Sequence, residues 1–394
     1  MNLQNINNQV LFKVLERAKF GSIGLKFIDP RSEYKFGEGP QVAEIFVKNG
    51  GVLNEIVSGG DIELAAAIIN EDIIVSDEAA FIDWACKNDD VLKSTFHGKF
   101  LGTLAPRIKG WLRPNTIKGA KKNIIEHYDL GNDFYNTWLD STMSYSSAIF
   151  SSESKDDLKK AQIRKYDRII DELNITSNDQ VLEIGCGWGG FFSRAVERTG
   201  CKVTAVMNSP SQAAYNRELI QKNHFNTNVD LQLIDYRQIE GKFDKVVSIE
   251  MIEAVGEKYW PVYFSKISNS LHAKGRALIQ SITIKDSLFK DYRRNPNFIN
   301  TMVFPGGMLL TNSNVENQAK LAGMHSEHKP FEFGMSYAKT LRLWRENFLL
   351  AQKDNLLPHL DKKFVNLWRF YLSYCEGAFT AKRINVAHFS LQKT

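Results

Sequence analysis

Cysteine is scarce in this chain: four thiols in 394 residues, at Cys86, Cys186, Cys201 and Cys375. They are too few for a disulfide scaffold and too scattered for a metal-ligand pattern. Buried thiols in a reducing compartment, and no metal, are the expectation. No uninterrupted apolar run approaches the ~18 residues that a membrane-spanning helix needs. The opening MNLQNINNQVLFKVLERAKF has Asn and Gln where a secretory signal carries its apolar core. A cytoplasmic location is therefore expected. A strong charge imbalance is also missing, with 50 basic and 45 acidic residues and a net charge of +5. Internal repeats and low-complexity segments are absent. What remains, 43% hydrophobic and 24% charged residues, is ordinary globular composition. The length suits two or three domains of roughly 100–200 residues each.

The charge is unevenly spread. Residues 1–110 carry 12 basic and 15 acidic side chains, and the remainder carries 38 and 30. The basic excess begins at the junction. Between Leu101 and Asn123 stand Arg107, Lys109, Arg113, Lys118, Lys121 and Lys122 with no acid, interleaved with Leu101, Leu104, Ile108, Trp111, Leu112 and Ile117. Such a mixture suits an anionic membrane surface, and equally a solvated linker. Nucleic acid is not expected, because no long basic run accompanies the mild net charge.

Residues 1–100 read as a small mixed domain. Val10 to Phe20 has helical spacing, and Gly21 to Gly39 reads as strands and turns. Ala43 to Asn49 and Asp61 to Asn70 hold short apolar runs. Asp77 is placed to cap a helix over Asp77 to Lys87. No nucleophile is paired with a base here, so the domain reads as binding or structural. From Asp156 the grammar changes. An amphipathic helix over Lys159 to Leu173 precedes apolar runs at Gln180 to Ile184, Lys202 to Met207, Val229 to Ile234 and Phe243 to Ile249. Helical segments alternate with them, and a fifth run covers Ala277 to Ile284. This alternation predicts a parallel sheet covered on both faces. Past Lys285 the pattern dissolves, and helices return at Tyr337 to Lys353 and Asp361 to Glu376.

VLEIGCGWGG, Val181 to Gly190, is a buried strand carrying Glu183, followed by Gly185, Gly187 and Gly189 at a helix start. The glycines allow a sharp turn and close approach of backbone to ligand, at the carboxyl end of a strand where open α/β sheets bind ligands. A dinucleotide is one reading. An acid two residues before the first glycine suits a cationic ligand better, and the spacing resembles that of S-adenosylmethionine methyltransferases.

Further blocks resemble the cyclopropane-fatty-acid synthases, a family acting on phospholipids and mycolic acids. They are HYDLGNDFYNTWLDSTMSYSSAIF (127–150), VTAVMNSPSQ (203–212), IDYR (234–237), SIEMIEAVGEKYW (248–260), FINTMVFPGG (298–307) and FYLSYCEGAFTAKRINVAHFSL (370–391). The resemblance implies an α/β, Rossmann-like class I methyltransferase domain over 126–394, with a helical acyl-chain lid at about 285–380. It also implies a small α+β, lipid-associating N-terminal domain over 1–100, a basic linker over 101–125, and a homodimer. Tyr128, Tyr145 and Ser146 would close over the methionine end of S-adenosylmethionine, with Glu183, Gly185, Gly187 and Gly189 beneath it. Asn208 and Gln212 would reach the ribose, and Asp235, Tyr236 and Arg237 would flank the adenine. Glu253 and Tyr337 would hold a bicarbonate ion that acts as base.

The implied activity is transfer of the methyl carbon to a cis double bond of a phospholipid acyl chain at the inner membrane surface, giving a cyclopropane. This chain departs from the family pattern at three places: Ser147 replaces a cysteine, Gln280 a histidine, and Ala254 the histidine of EHVG. Ser147 and Gln280 can still donate to an anion. Loss of the imidazole puts the final proton removal in question, and a different proton loss would leave a methylene-branched chain. A small-molecule N-methyltransferase is the alternative enzyme. A non-catalytic lipid-binding protein is the alternative class, disfavoured because every glycine of the cofactor turn is present.

Overall fold

The computed structural model describes residues 11–29, 31–96, 130–151 and 157–394. The basic junction and Tyr128 lie outside them. The chain divides into two compact units. One holds the described residues through 96 with Pro296–Val303 and Leu341–Arg383, and the other holds the rest.

In the first unit, β1 (Gly21–Phe27) and β2 (Ser32–Glu38) form an antiparallel pair, and β3 (Gln41–Val47) lies parallel to β1. After helices α1 (Val52–Gly59) and α2 (Asp61–Ile69), β4 (Ile73–Val75) completes a four-stranded sheet of order β2-β1-β3-β4. Asp77 caps α3 (Glu78–Lys87) as its sequence position predicts, accepting from the Ala80 amide at 2.9 Å. A short helix, α4 (Asp89–Phe96), follows.

The second unit opens with α5 (Gly131–Asn136) and α6 (Leu158–Leu173), then alternates β5 (Gln180–Ile184), α7 (Gly190–Thr199), β6 (Lys202–Met207), α8 (Pro210–Lys222), β7 (Val229–Leu233), β8 (Phe243–Ile249), α9 (Trp260–Ser270) and β9 (Leu271–Ile284). The β5 to β9 strands run parallel. Period-two alternation explains the two buried faces. Leu182, Val246, Ala277 and Ile279 pack with Tyr263, Phe264 and Ile267 on one side. Val181, Val247 and Leu278 pack with Tyr166, Ile169 and Phe192 on the other.

Beyond β9 come α10 (Asp286–Arg294), α11 (Asn312–Leu321), β10 (Met324–Ser326), β11 (Phe331–Glu332), α12 (Gly334–Lys353), α13 (Lys362–Thr380) and β12 (Ile384–Lys393). The parallel expectation holds except at this end. β12 inserts antiparallel between β9 and β10, giving the order β10-β12-β9-β8-β5-β6-β7. Sequence reading assigns no strand there.

The helix α13, expected within the lid of the C-terminal domain, belongs to the first unit. Polar contacts explain this. Arg369 and Ser373 bind the buried Glu78 carboxylate, Tyr374 donates to Asp61 at 2.9 Å, and Arg383 pairs with Asp89 at 2.6 Å. Gly377 lets the two helix backbones meet: a Cβ there would stand 2.6 Å from the Ala79 carbonyl oxygen.

Candidate active site

Sharp backbone turns need positive φ, and the first βα turn has three glycines for it: Gly185 (φ 82°), Gly187 (53°) and Gly189 (82°). The amides of Gly185 and Cys186 both donate to the Val206 carbonyl, tying the turn to the end of β6. Asn216 Nδ2 donates to the Gly187 carbonyl at 2.8 Å. A Cβ on Gly187 would meet nothing within 4 Å, so open space lies over the loop. Glu183 is buried, and its Oε2 has no hydrogen-bond partner among the described residues. Burial raises its pKa well above the usual carboxylate range. The Phe192 amide also bonds this carboxylate, and its one unpaired oxygen, near an open glycine turn, fits a ligand that brings a cationic donor.

The other residues expected at the cofactor are held by local contacts. Asn208, after β6, hydrogen-bonds Asp235, and Arg237 grips the same carboxylate with two bonds of 2.6 Å. Tyr236 is buried and edge-on to Tyr263. Gln212 is buried in the first turn of α8, whose cap is Ser209. Tyr145 joins Tyr135 (5.4 Å between ring centroids) and Trp138, and Tyr135 in turn meets Trp188 of the glycine turn at 4.8 Å. The Trp188 indole donates to Asn132 at 2.8 Å. Ser146 Oγ accepts from Lys165 Nζ at 2.6 Å. Lys165 is wholly buried on α6, and burial lowers its pKa to about 7.

At the ends of β8 and β9 the arrangement differs from expectation. Ser147, Gln280 and Tyr337 do converge, but on Glu250, a residue the sequence reading passed over. The Ser147 amide reaches Glu250 Oε1 at 2.9 Å, Gln280 Nε2 reaches the same oxygen at 2.7 Å, and the Tyr337 hydroxyl donates to Oε2 at 2.7 Å. Ser147 serves through its backbone, since its hydroxyl donates to the Ala148 carbonyl. Glu253 faces elsewhere: its Oε1 accepts from Ser281 Oγ at 3.0 Å and the Ile282 amide at 2.6 Å, and Oε2 has no partner among the described residues. Burial and the neighbouring Glu250 charge push Glu253 up to about 8. Burial raises Glu250 too, opposed by its three donors and by Lys165. The three donors and Lys165 favour the charge on Glu250, and the unpaired Oε2 favours the proton on Glu253.

An imidazole is present after all, one residue further back. His388 of β12 lies opposite Gln280 in register, and its Nε2 is 2.8 Å from Gln280 Oε1. Burial pulls His388 well below its ordinary pKa, so it is neutral. An amide oxygen only accepts, so Nε2 carries the proton. That contact sets the Gln280 amide with its NH2 toward Glu250. The signal for Glu250 was visible in SIEMIEAVG, as a second acid in the same apolar run. The expected bicarbonate ion does not fit, because the Ser147, Gln280 and Tyr337 donors already bind a carboxylate. His325 is exposed, and the exposed His328 bonds Glu172.

A parallel sheet with one reversed strand, an acid and a glycine turn after β5, and a polar rim at the ends of β6 and β7 define a Rossmann-like S-adenosylmethionine-dependent methyltransferase. A model of the mycolic acid cyclopropane synthetase family matches residues 116–389, and the chain belongs to that family. It is 34% identical over 331 residues to tuberculostearic acid methyltransferase UfaA1 of Mycobacterium tuberculosis, covering 78% of this chain and 76% of the relative. It is 33% identical over 262 residues to the cyclopropane-fatty-acyl-phospholipid synthase of Escherichia coli K12, covering 66% and 65%. The crystal structure of mycolic acid cyclopropane synthase CmaA1 complexed with SAH and CTAB superposes with a TM-score of 0.64 at 29% identity, covering 69% of this chain and 98% of the other.

Proposed function

We propose that this enzyme methylates a carbon of a cis double bond in a phospholipid acyl chain, working at the inner face of a membrane as a peripheral protein. The observation that carries the reading is the fixed carboxylate of Glu250, wired to Ser147, Gln280 and Tyr337. Alkene methylation leaves a cation in the chain that must lose a proton. Amine methylation also releases a proton, from nitrogen and without a carbocation, and the family match over residues 116–389 favours the alkene. Bound S-adenosylmethionine supplies an electrophilic methyl group on sulfur. The residues over 183–189 seat that cofactor, Asn208 with Asp235 and Arg237 orients its nucleoside, and Tyr145 and Ser146 border its methionine end. Orientation and exclusion of water then supply most of the rate.

Two products are open to the cation. Proton loss from the new methyl group with closure onto the cation gives a cyclopropane. A hydride shift before the same loss gives a methylene branch. The similarity to tuberculostearic acid methyltransferase reaches across 78% of the chain, further than that to the cyclopropane synthase, and favours the branch. The N-terminal unit, the basic residues over 101–125 and a homodimer would complete the membrane-bound form. No helix of the described residues is long and apolar enough to cross a membrane. The test is expression in a host fed labelled methionine, with lipid extraction. Unsaturated acyl chains gaining one labelled carbon are expected, and fragmentation separates ring from branch. Acyl chains of unaltered mass would overturn the reading.

A further inference from the structure

Resting on that reading, we infer that Glu250 is the proton acceptor of the reaction, a tethered carboxylate standing where a bicarbonate ion would otherwise be held, so that turnover needs no bicarbonate. Three donors from three separate segments converge on it: the Ser147 amide, Gln280 Nε2 and the Tyr337 hydroxyl. Together they form a complete anion site. Oε1 accepts two bonds and is saturated. Among the described residues, Oε2 accepts only from Tyr337 and keeps a lone pair for an incoming proton. Glu250 is not sealed off, since part of its surface stays accessible.

The backbone supports the assignment independently. Glu250 holds φ at +49°, in a left-handed region where glycine is at ease and other residues are strained. Its own amide donates to the Gln280 carbonyl at 2.8 Å, so residue 250 is anchored to β9 through both backbone and side chain. Strain kept at a site while three donors bind the side chain is what a functional carboxylate shows. The charged and titratable groups around it, among the described residues, are Lys165, Tyr166, Glu253 and Tyr337. The neutral His388 holds Gln280 from behind.

The step balances within the substrate. Methyl transfer breaks the carbon–sulfur bond, forms a carbon–carbon bond and leaves a cation in the acyl chain. A C–H bond of the new methyl group then breaks, and its proton goes to Oε2. Its electron pair becomes the closing bond of the ring or, after the hydride shift, the double bond of the methylene branch. The proton leaves later to solvent.

The test compares the full-length enzyme with Glu250→Gln and Glu250→Gly on vesicles of dioleoyl phosphatidylglycerol and dioleoyl phosphatidylethanolamine. Buffers are stripped of carbon dioxide, then supplemented with bicarbonate. Glycine suits the +49° φ, so that variant keeps the fold, which circular dichroism and cofactor calorimetry check. Unchanged wild-type turnover with and without bicarbonate is expected. So is a loss of about a hundredfold or more in Glu250→Gln, with cofactor affinity retained. Glu250→Gly should gain a saturable site for 13C-bicarbonate in NMR titration, and partial turnover when the ion is added. Saturable bicarbonate binding to the wild type, bicarbonate-dependent wild-type turnover, or near-normal turnover of Glu250→Gln would overturn the inference. If no vesicle is methylated by the wild type but bicarbonate binds only Glu250→Gly, the acyl-chain reading fails and the anion-site assignment stands.

Discussion

Glu250 and Glu253 belong to one short segment and stand in unlike surroundings, because one carboxylate has three donors with Lys165 nearby and the other keeps an oxygen without a partner among the described residues. Glu253 holds its proton up to about 8 in the folded protein, whereas an unfolded glutamate releases it near ~4.3. The folded state therefore binds the extra proton between those values, and stability falls as pH rises through that window. Glu253→Gln resembles the protonated form. Its melting temperature should overtake that of the wild type above pH ~5, with the widest gap past about 8; scanning calorimetry over pH reads this directly. Turnover near neutrality should survive that change, in contrast to Glu250→Gln. At the cofactor turn, Gly187→Val would place a branched side chain in the open space and on a φ of +53°. Loss of cofactor binding in calorimetry is expected, and retained binding would mean that the cofactor lies elsewhere.

Elements were legible in proportion to their periodicity. The strands β5, β6 and β8 match their apolar runs, and α3 begins at its predicted cap. The helix α6 was read from its apolar stripe, yet Gln162 and Lys165 are also buried on it, since polar partners at Ser146 take their ends. Hydrophobic periodicity does not report such positions. β12 was missed for a related reason: its residues fit several conformations, and only pairing with β9 makes them a strand. Gly377 gives an element-scale test. Alanine in a helix interior is favoured over glycine by about 1 kcal/mol. Here the new Cβ would stand 2.6 Å from Ala79 O and 2.7 Å from Ile82 Cβ. Overpacking of that kind costs about 1–3 kcal/mol, so Gly377→Ala should lower the urea midpoint. An increase would show that α3 and α13 are looser than described.

Across the second unit, Glu172 on α6 ties distant parts of the chain together. Burial pushes its pKa up, but bonds from His328, Ser390 and Arg168 outweigh this and leave it at about 2. An unfolded glutamate titrates near ~4.3. Its stabilising contribution is thus present above that value and lost as pH falls toward about 2. Glu172→Gln should flatten the acid limb of stability between those two values, as measured by urea midpoints at successive pH. His328 carries the opposite dependence, its pKa raised by Glu172. Its side chain is 46% exposed, so solvent screening keeps that part small.

The amino-acid sequence by itself determined the sheet's parallel part, the glycine turn and the cofactor class, because strand alternation and left-handed glycines are local constraints that few other residues satisfy. Its ordered blocks also carried the family. Tertiary structure alone decided that Glu250, not Glu253, receives Ser147, Gln280 and Tyr337, because those donors come from segments far apart in the chain. It also decided that α13 joins the N-terminal elements, through Glu78, Asp61 and Asp89. An ionisable side chain takes its role from the partners that reach it, and in this protein those partners are set by how the strands and helices pack.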